Sequence, residues 1–156
     1  MDIQKDFLLN LASDGSDELV TIESLAENKV SAVVRFMEVF PEIHFCDWED
    51  ERLLVKSLHD RSLVCFVAWF GDTIVGAIFA GAMGLRGTIN HLAVDKHWQR
   101  RGIGERLVAE VVRHFRSVGI RRLFLFVVSE QPIAALFWNR MGFDVMAGEV
   151  TMERDI

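Results

Sequence analysis

The run Asn90-His91-Leu92-Ala93-Val94-Asp95-Lys96-His97-Trp98-Gln99-Arg100-Arg101-Gly102-Ile103-Gly104 decides how the rest of the chain is read. An apolar strand ends at Val94, a polar turn follows, and two glycines open a helix that reaches Phe115. The first amides of such a helix point out of the turn, with the positive end of the macrodipole behind them. Gly102 and Gly104 let a ligand approach the backbone without meeting a Cβ. Arg100 and Arg101 add fixed positive charge at the same end. The pattern describes a pocket for a phosphorylated ligand.

Downstream, Ile103, Leu107, Val108, Val111, Val112 and Phe115 share one helical stripe, while Glu105, Arg106, Glu110, Arg113 and Arg116 face away. Gly119 suits the residue just past the helix end. Arg121-Arg122 lead into the apolar run Leu123 to Val128, typical of a buried parallel strand. Strand, helix and strand of this length form a βαβ unit with a right-handed crossover. Pro132 suits the first turn of a helix to about Met141, with Ile133, Leu136, Phe137 and Met141 inward. Gly142 stops it, and Val145 to Met152 reads as a last strand.

Upstream, Leu63 to Phe70 and Thr73 to Ala80 are apolar runs joined by Gly71-Asp72, a hairpin signal. Gly81 to Gly87 reads as a glycine-spaced loop before the strand Thr88 to Val94. In that strand Ile89, Leu92 and Val94 do not keep a period of two. Either a bulge between Ile89 and Leu92 restores one face, or the strand is buried on both. Leu19 to Ile22 is a short first strand, and the segment before it, residues 1–17, is expected to be extended or loosely ordered. From Ala26 to Phe40, Val30, Val33, Val34 and Met37 fall on one helical face, and Pro41 ends the helix. Asp47 is the expected cap of a second helix that buries Leu54 and Leu58. The aromatic stretch His44 to Trp48 either walls a substrate pocket or packs on the core as a loop.

Composition bounds the answer. At 156 residues, 51% of them apolar, the chain fits one domain with a self-sufficient core. A formal charge of −6 argues against a nucleic-acid partner. Cys46 and Cys65 form neither a zinc spacing nor a disulfide framework, so a reducing compartment is the simpler reading. No apolar leader opens the chain and no stretch is long and apolar enough to span a bilayer. The expectation is a cytoplasmic protein with no membrane partner and no metal.

The order of elements, and three matched segments, resemble the GNAT superfamily of acyl-CoA-dependent N-acetyltransferases. The family signature Gln/Arg-x-x-Gly-x-Gly/Ala is met by Gln99-Arg100-Arg101-Gly102-Ile103-Gly104. Leu92-Ala93-Val94-Asp95 resembles the strand ending before it, and Ala134 to Phe143 resembles the family's late Ala-x-x-Leu-Tyr-x-x-x-Gly-Phe helix. The stretch Gly81 to Val94 is also similar to a subgroup of small bacterial acetyltransferases. The resemblance implies a mixed α/β (α+β) fold. Its mostly antiparallel sheet has a central parallel pair splayed at the cofactor slot and about four flanking helices, in a single domain over residues 1–156.

It further implies acetyl-CoA as co-substrate, with the amides of Arg100, Arg101, Gly102, Ile103, Gly104 and Glu105 around its pyrophosphate. Leu92, Ala93 and Val94 would meet the pantetheine arm as an added strand meets an edge, and Gln99, Gln131 and Trp138 would complete the cofactor site. Many relatives use a tyrosine acid on the last helix; that position is Trp138, and the chain has no tyrosine. An indole cannot protonate a thiolate near neutral pH. Two positions where relatives carry a base are Phe126 and Thr88. Asn90, His91, Ser129 and Glu130 remain nearby, with Asn90 and His91 the catalytic candidates and His91 the expected base because histidine titrates near neutrality; a histidine hydrogen-bonded within the sheet or at its surface, with proton transfer through ordered water, is the alternative.

The expected activity is acetyl transfer to a primary amine of a small molecule or peptide, and the alternative is an acyl-CoA-binding module without chemistry. A dinucleotide oxidoreductase fails because Leu107 occupies the third glycine's place. Glu38, Glu42, Asp47, Glu49 and Asp50 make the early helices acidic, which suits a cationic amine or a solvated face. Phe and Met near the last strand are compatible with a homodimer.

Overall fold

Two apolar runs joined by Gly71-Asp72 do form the centre of the sheet in the computed structural model, which describes residues 19–43, 50–127, 132–148, 150–152 and 154. The elements are β1 (Val20–Ser24), α1 (Val30–Glu38), α2 (Glu51–His59), β2 (Leu63–Phe70), β3 (Thr73–Met83), β4 (Arg86–Val94), α3 (Ile103–Ser117), β5 (Leu123–Leu125) and α4 (Pro132–Arg140). Single 3-10 turns, Glu27–Lys29 and Lys96–Trp98, precede α1 and α3. The strands lie in the order β1-β2-β3-β4-β5. The first four are antiparallel and β4 runs parallel to β5. This is the expected mixed fold with a mostly antiparallel sheet, one parallel pair and four helices. The chain falls into two compact units: one through Phe126, holding the sheet and α1 to α3, and one from Val127, holding α4.

Alternation along the strands sorts the core into two faces. Cys65, Val67, Ala77, Phe79 and Ala93 meet Val30, Val33, Val34 and Met37 of α1 and Leu54 of α2 in one buried cluster. Burying each large side chain there contributes about 1.5–3 kcal/mol. Burial also pushes the Cys65 thiol well above its ordinary range. The other face receives α3, which buries Ile103, Leu107, Val108, Val111 and Phe115 along the predicted stripe. Close approach there is built on small residues: a Cβ on Gly76 would stand 3.1 Å from Leu107 Cδ1. Arg106 ties α3 to the first strand by donating from Nη2 to the Val20 carbonyl at 2.7 Å.

Four expectations are corrected. Asp50, not Asp47, caps α2: it is extended, and its Oδ1 accepts from the Leu53 N–H at 2.9 Å. Asp47 itself lies outside the described residues. Gly81 to Gly87 is no loop, because β3 runs to Met83 and β4 starts at Arg86. Its glycines are strand residues, and a Cβ on Gly87 would meet Phe115 and Leu123. The described residues of the expected last strand, 145–148 and 150–152, hold no regular structure and pair with no described strand. Ile133 and Leu136 of α4 are 81% and 62% exposed rather than inward. The apolar contacts of that unit are instead the rings of Phe137, Trp138 and Phe143, stacked edge to face at 5.0 and 5.3 Å.

Candidate active site

The site begins where β4 outruns its parallel neighbour. Gly87, Thr88 and Ile89 pair with Leu123, Phe124 and Leu125, and Gly87 donates to the Arg122 carbonyl at 2.9 Å. Pairing stops at Ile89, while β4 continues to Val94. Among the described residues no strand pairs with β4 on that side beyond this point. The Asp95 N–H donates to Val75 on the β3 side. By alternation, the peptide groups of Leu92 and Val94 face the other way, along the open edge. An extended ligand with its own amides can pair there as a strand would.

A bulge sits at the point of departure. Phe79 pairs with His91 and Ala80 with Ile89, which leaves Asn90 as the extra residue. Ile89, Leu92 and Val94 thereby return to the α3 face, opposite Ala80, Ile78 and Gly76, so the bulge, not a two-sided burial, explains the broken period. Asn90 and His91 both fall on the face of α1 and α2. The His91 ring lies edge to face on Phe79 with centroids 6.2 Å apart. Thr88, two residues earlier, donates from Oγ1 to Asn90 Oδ1 at 2.8 Å.

At its other end β4 runs into the signature turn. Asp95 Oδ1 accepts from the His97 N–H at 2.8 Å and starts the 3-10 turn. That turn buries Trp98 against Phe70, with rings 4.8 Å apart. Arg101 spreads its guanidinium over the outer face of the same indole, 5.1 Å from the centroid. Gln99 Nε2 donates to the Val94 carbonyl at 3.0 Å. Arg100 and Gly102 both take left-handed backbone conformations, at φ 62° and 75°. The two reversals swing the chain into α3, whose first intrahelical bond from Arg106 closes on the Gly102 carbonyl. Gly102 offers no side-chain cap, so the amides of Ile103, Gly104 and Glu105 have no acceptor within the helix. An anion is the natural complement of this end. The Glu105 carboxylate lies on the same side, its Oε2 3.3 Å from where a Gly102 Cβ would be.

Twelve of the sequence-predicted site residues therefore form one continuous track: Asn90 and His91 at the bulge, Leu92, Ala93 and Val94 on the strand, and Gln99 to Gly104 with Glu105 around the turn. Gln131 lies outside the described residues. Trp138 belongs to the second compact unit, half-buried between Phe137 and Phe143. The sequence reading passed over two participants. Trp98 is the floor of the turn, which a tryptophan in an otherwise polar stretch signals. Thr88, named from the sequence only as a place where relatives carry a base, is the partner of Asn90 on the same strand face. Among the described residues no three His, Cys, Asp or Glu side chains group to hold a metal, and no helix is long and apolar enough to cross a membrane.

With this geometry in hand, comparison places the chain. The profile of the Acetyltransferase (GNAT) family matches residues 30–143, and the chain belongs to that family. It is 29% identical over 96 residues to a mycothiol acetyltransferase of Geodermatophilus obscurus, covering 57% of this chain and 31% of the relative. It is 30% identical over 84 residues to the PanD regulatory factor of Salmonella typhimurium, covering 54% of this chain and 66% of the relative. The chain thus spans about a third and just under two thirds of the lengths of these curated relatives. An aminoglycoside acetyltransferase from an uncultured soil metagenomic sample, solved in complex with trehalose, is 25% identical and superposes with a TM-score of 0.75 over 90% of this chain and 98% of that one. The same enzyme has been solved with sisomicin.

Proposed function

We propose that the chain transfers an acetyl group from acetyl-CoA to a primary amine of a small molecule or peptide, by direct attack. The observation that carries this reading is the open edge of β4 leading straight into an uncapped helix N-terminus. An extended amide-bearing arm and a pyrophosphate at its end match the two in order. In this reading the amides from Arg100 to Glu105 hold the pyrophosphate, with Glu105 swinging aside as the anion enters, and Leu92, Ala93 and Val94 hold the pantetheine. Gln99 holds the turn. Acetyl-CoA supplies the acyl group: the amine nitrogen bonds to the thioester carbon, the C–S bond breaks, and the proton lost from nitrogen ends on the thiolate. The protein supplies alignment, which converts an encounter into an intramolecular step; at the bulge Asn90 orients the amine and His91 accepts its proton. Thiol release from acetyl-CoA with a panel of amines tests this. Release that depends on the amine supports it, and binding of acetyl-CoA without turnover of any amine refutes it.

A second reading rests on Trp138 and Phe126 and on the name of the Salmonella relative, a regulatory factor. In it the chain keeps the acyl-CoA pocket as a ligand sensor for a protein partner, without chemistry. Acetyl-CoA binding with no transfer is its signature. In the first reading the protein works in the cytoplasm, where acetyl-CoA is made and used, and pairs as a homodimer through its apolar C-terminal segment.

A further inference from the structure

The α1 and α2 face of the sheet is apolar over β2 and β3, and its polar residues lie toward the edges, Thr21 and Glu23 on β1 and a group on β4. Cys65, Val67, Ala77, Phe79 and Ala93 are buried on it, yet Thr88, Asn90 and His91 bunch together beside the point where β4 leaves β5. Thr88 and Asn90, two residues apart, share a face as in any strand, and the bulge brings His91 onto the same face. Asn90 is exposed, so helix packing does not explain it. Thr88 Oγ1 donates its one proton to Asn90 Oδ1. That bond has two chemical consequences. The threonine oxygen is left only to accept, and the amide is held with Nδ2 left to donate. Among the described residues neither Nδ2 proton has an acceptor. Gly81 keeps the notch open, because a Cβ there would stand 3.6 Å from Thr88 Oγ1 and 3.8 Å from Asn90 Nδ2.

We infer that Thr88 and Asn90 form the acceptor notch and select amines that carry an oxygen, hydroxyl or carbonyl, on the neighbouring carbon. This rests on the acetyltransferase reading. The amine donates to Thr88 Oγ1, and the neighbouring oxygen accepts from Asn90 Nδ2. A fixed acceptor and a fixed donor, one amide and one hydrogen bond apart, match the spacing of an N–C–C–O unit and leave a plain alkylamine with one unmet donor. Thr88 is both a contact and a positioning residue, since it alone fixes which end of the amide points outward.

The test uses the full chain and matched amines, 2-aminoethanol against propylamine and glycinamide against butylamine, with rates referred to the free-amine fraction. The oxygen-bearing member of each pair is expected to have the higher kcat/KM by about tenfold, the worth of one hydrogen bond. Thr88→Val is expected to raise the KM for the preferred amines by about as much, with the KM for acetyl-CoA unmoved, and Thr88→Ser to restore it. Asn90→Asp replaces the donor by an acceptor, so it should erase the preference and favour 1,2-diaminoethane. Should Thr88→Val fail to fold, Asn90→Asp at its exposed position carries the test. Turnover with no difference within the pairs, or a Thr88→Val effect that falls equally on acetyl-CoA, overturns this inference alone. Acetyl-CoA binding with no turnover of any amine by the unaltered protein overturns the transferase reading and this inference with it.

Discussion

Gln99 Nε2 donates to the Val94 carbonyl at 3.0 Å, so the first residue of the signature clips its own turn to the end of the strand before it. The carbonyl lies on the open edge of β4, and the clip fixes where that edge ends relative to the helix N-terminus. A side-chain hydrogen bond of this kind contributes about 0.5–1.5 kcal/mol net. Gln99→Ala should therefore lower Tm by about 1–6 °C and, by freeing the end of the edge, weaken acetyl-CoA binding by up to about tenfold. Titration calorimetry measures it, and an unchanged Kd would remove the clip from the binding account.

Gly102 should tolerate neither bulk nor negative charge. Its φ of 75° lies in the left-handed region, where a side chain costs roughly 1–2 kcal/mol. Gly102→Ala incurs that strain alone. Gly102→Glu adds a carboxylate where the helix amides converge and where Glu105 already stands close. The Glu variant should bind acetyl-CoA more than about tenfold more weakly than the Ala variant, with a gap that narrows at high salt. Equal affinities for the two variants would mean that the pyrophosphate does not sit at this turn.

Periodicity carried most of this fold into view from the sequence. Val30, Val33, Val34 and Met37, and Ile103, Leu107, Val108, Val111 and Phe115 of the later stripe, are buried where a 3.6-residue period puts them, because an amphipathic helix on a sheet has one way to bury its face. The bulge was legible as a broken alternation, and Asn90 as the extra residue completes it. What stayed hidden were contacts between distant segments. Gly81 and Gly87 read as loop residues because nothing local says that Phe115 presses on the strand at Gly87. The cap of α2 went to Asp50 rather than Asp47 because several acids in a row offer the same local chemistry, and only the docked helix chooses among them. For the site, the signature is a local motif and was readable; the bond from Thr88 to Asn90 is one of several that either polar side chain could make, and only the folded strand chooses it.

The cap of α2 makes a pH-dependent prediction. The Leu53 N–H bonded to Asp50, helped by the neighbouring Arg52, holds the Asp50 carboxyl below its ordinary value. The folded chain thus binds fewer protons at this group than the unfolded chain as the pH falls through the carboxylate range. The stabilisation is complete above the ordinary aspartate pKa and is lost as pH falls through the lowered one. Asp50→Ala should lower Tm by about 2–4 °C at pH 7, and the difference from the unaltered protein should shrink once the pH drops below about 4. Asp50→Asn, which also caps, should recover most of the loss at neutral pH. Calorimetric melts of the three proteins across that range decide it, and a gap that widens in acid would contradict the assignment.

Gly87 is the corner on which β4, β5 and α3 meet, and it should be the least replaceable glycine in the sheet. A Cβ there would stand 2.7 Å from Leu123 Cδ2 and 2.8 Å from Phe115 Cε2. Phe115 is itself buried at 2% exposure, so its ring has little room to retreat. Gly87→Ala should cost about 1–3 kcal/mol by overpacking, read from urea unfolding with an unchanged m-value. It should also raise the KM for acetyl-CoA, since β4 leaves β5 only two residues further on, after Ile89. Phe115→Leu removes part of the ring that the new methyl meets. Combined with Gly87→Ala, it should therefore be less damaging than the sum of the two single changes, with a coupling of about 1 kcal/mol. Strict additivity would show that β4 is held against something other than Phe115 at this corner, and the geometry of the open edge would then have to be set elsewhere.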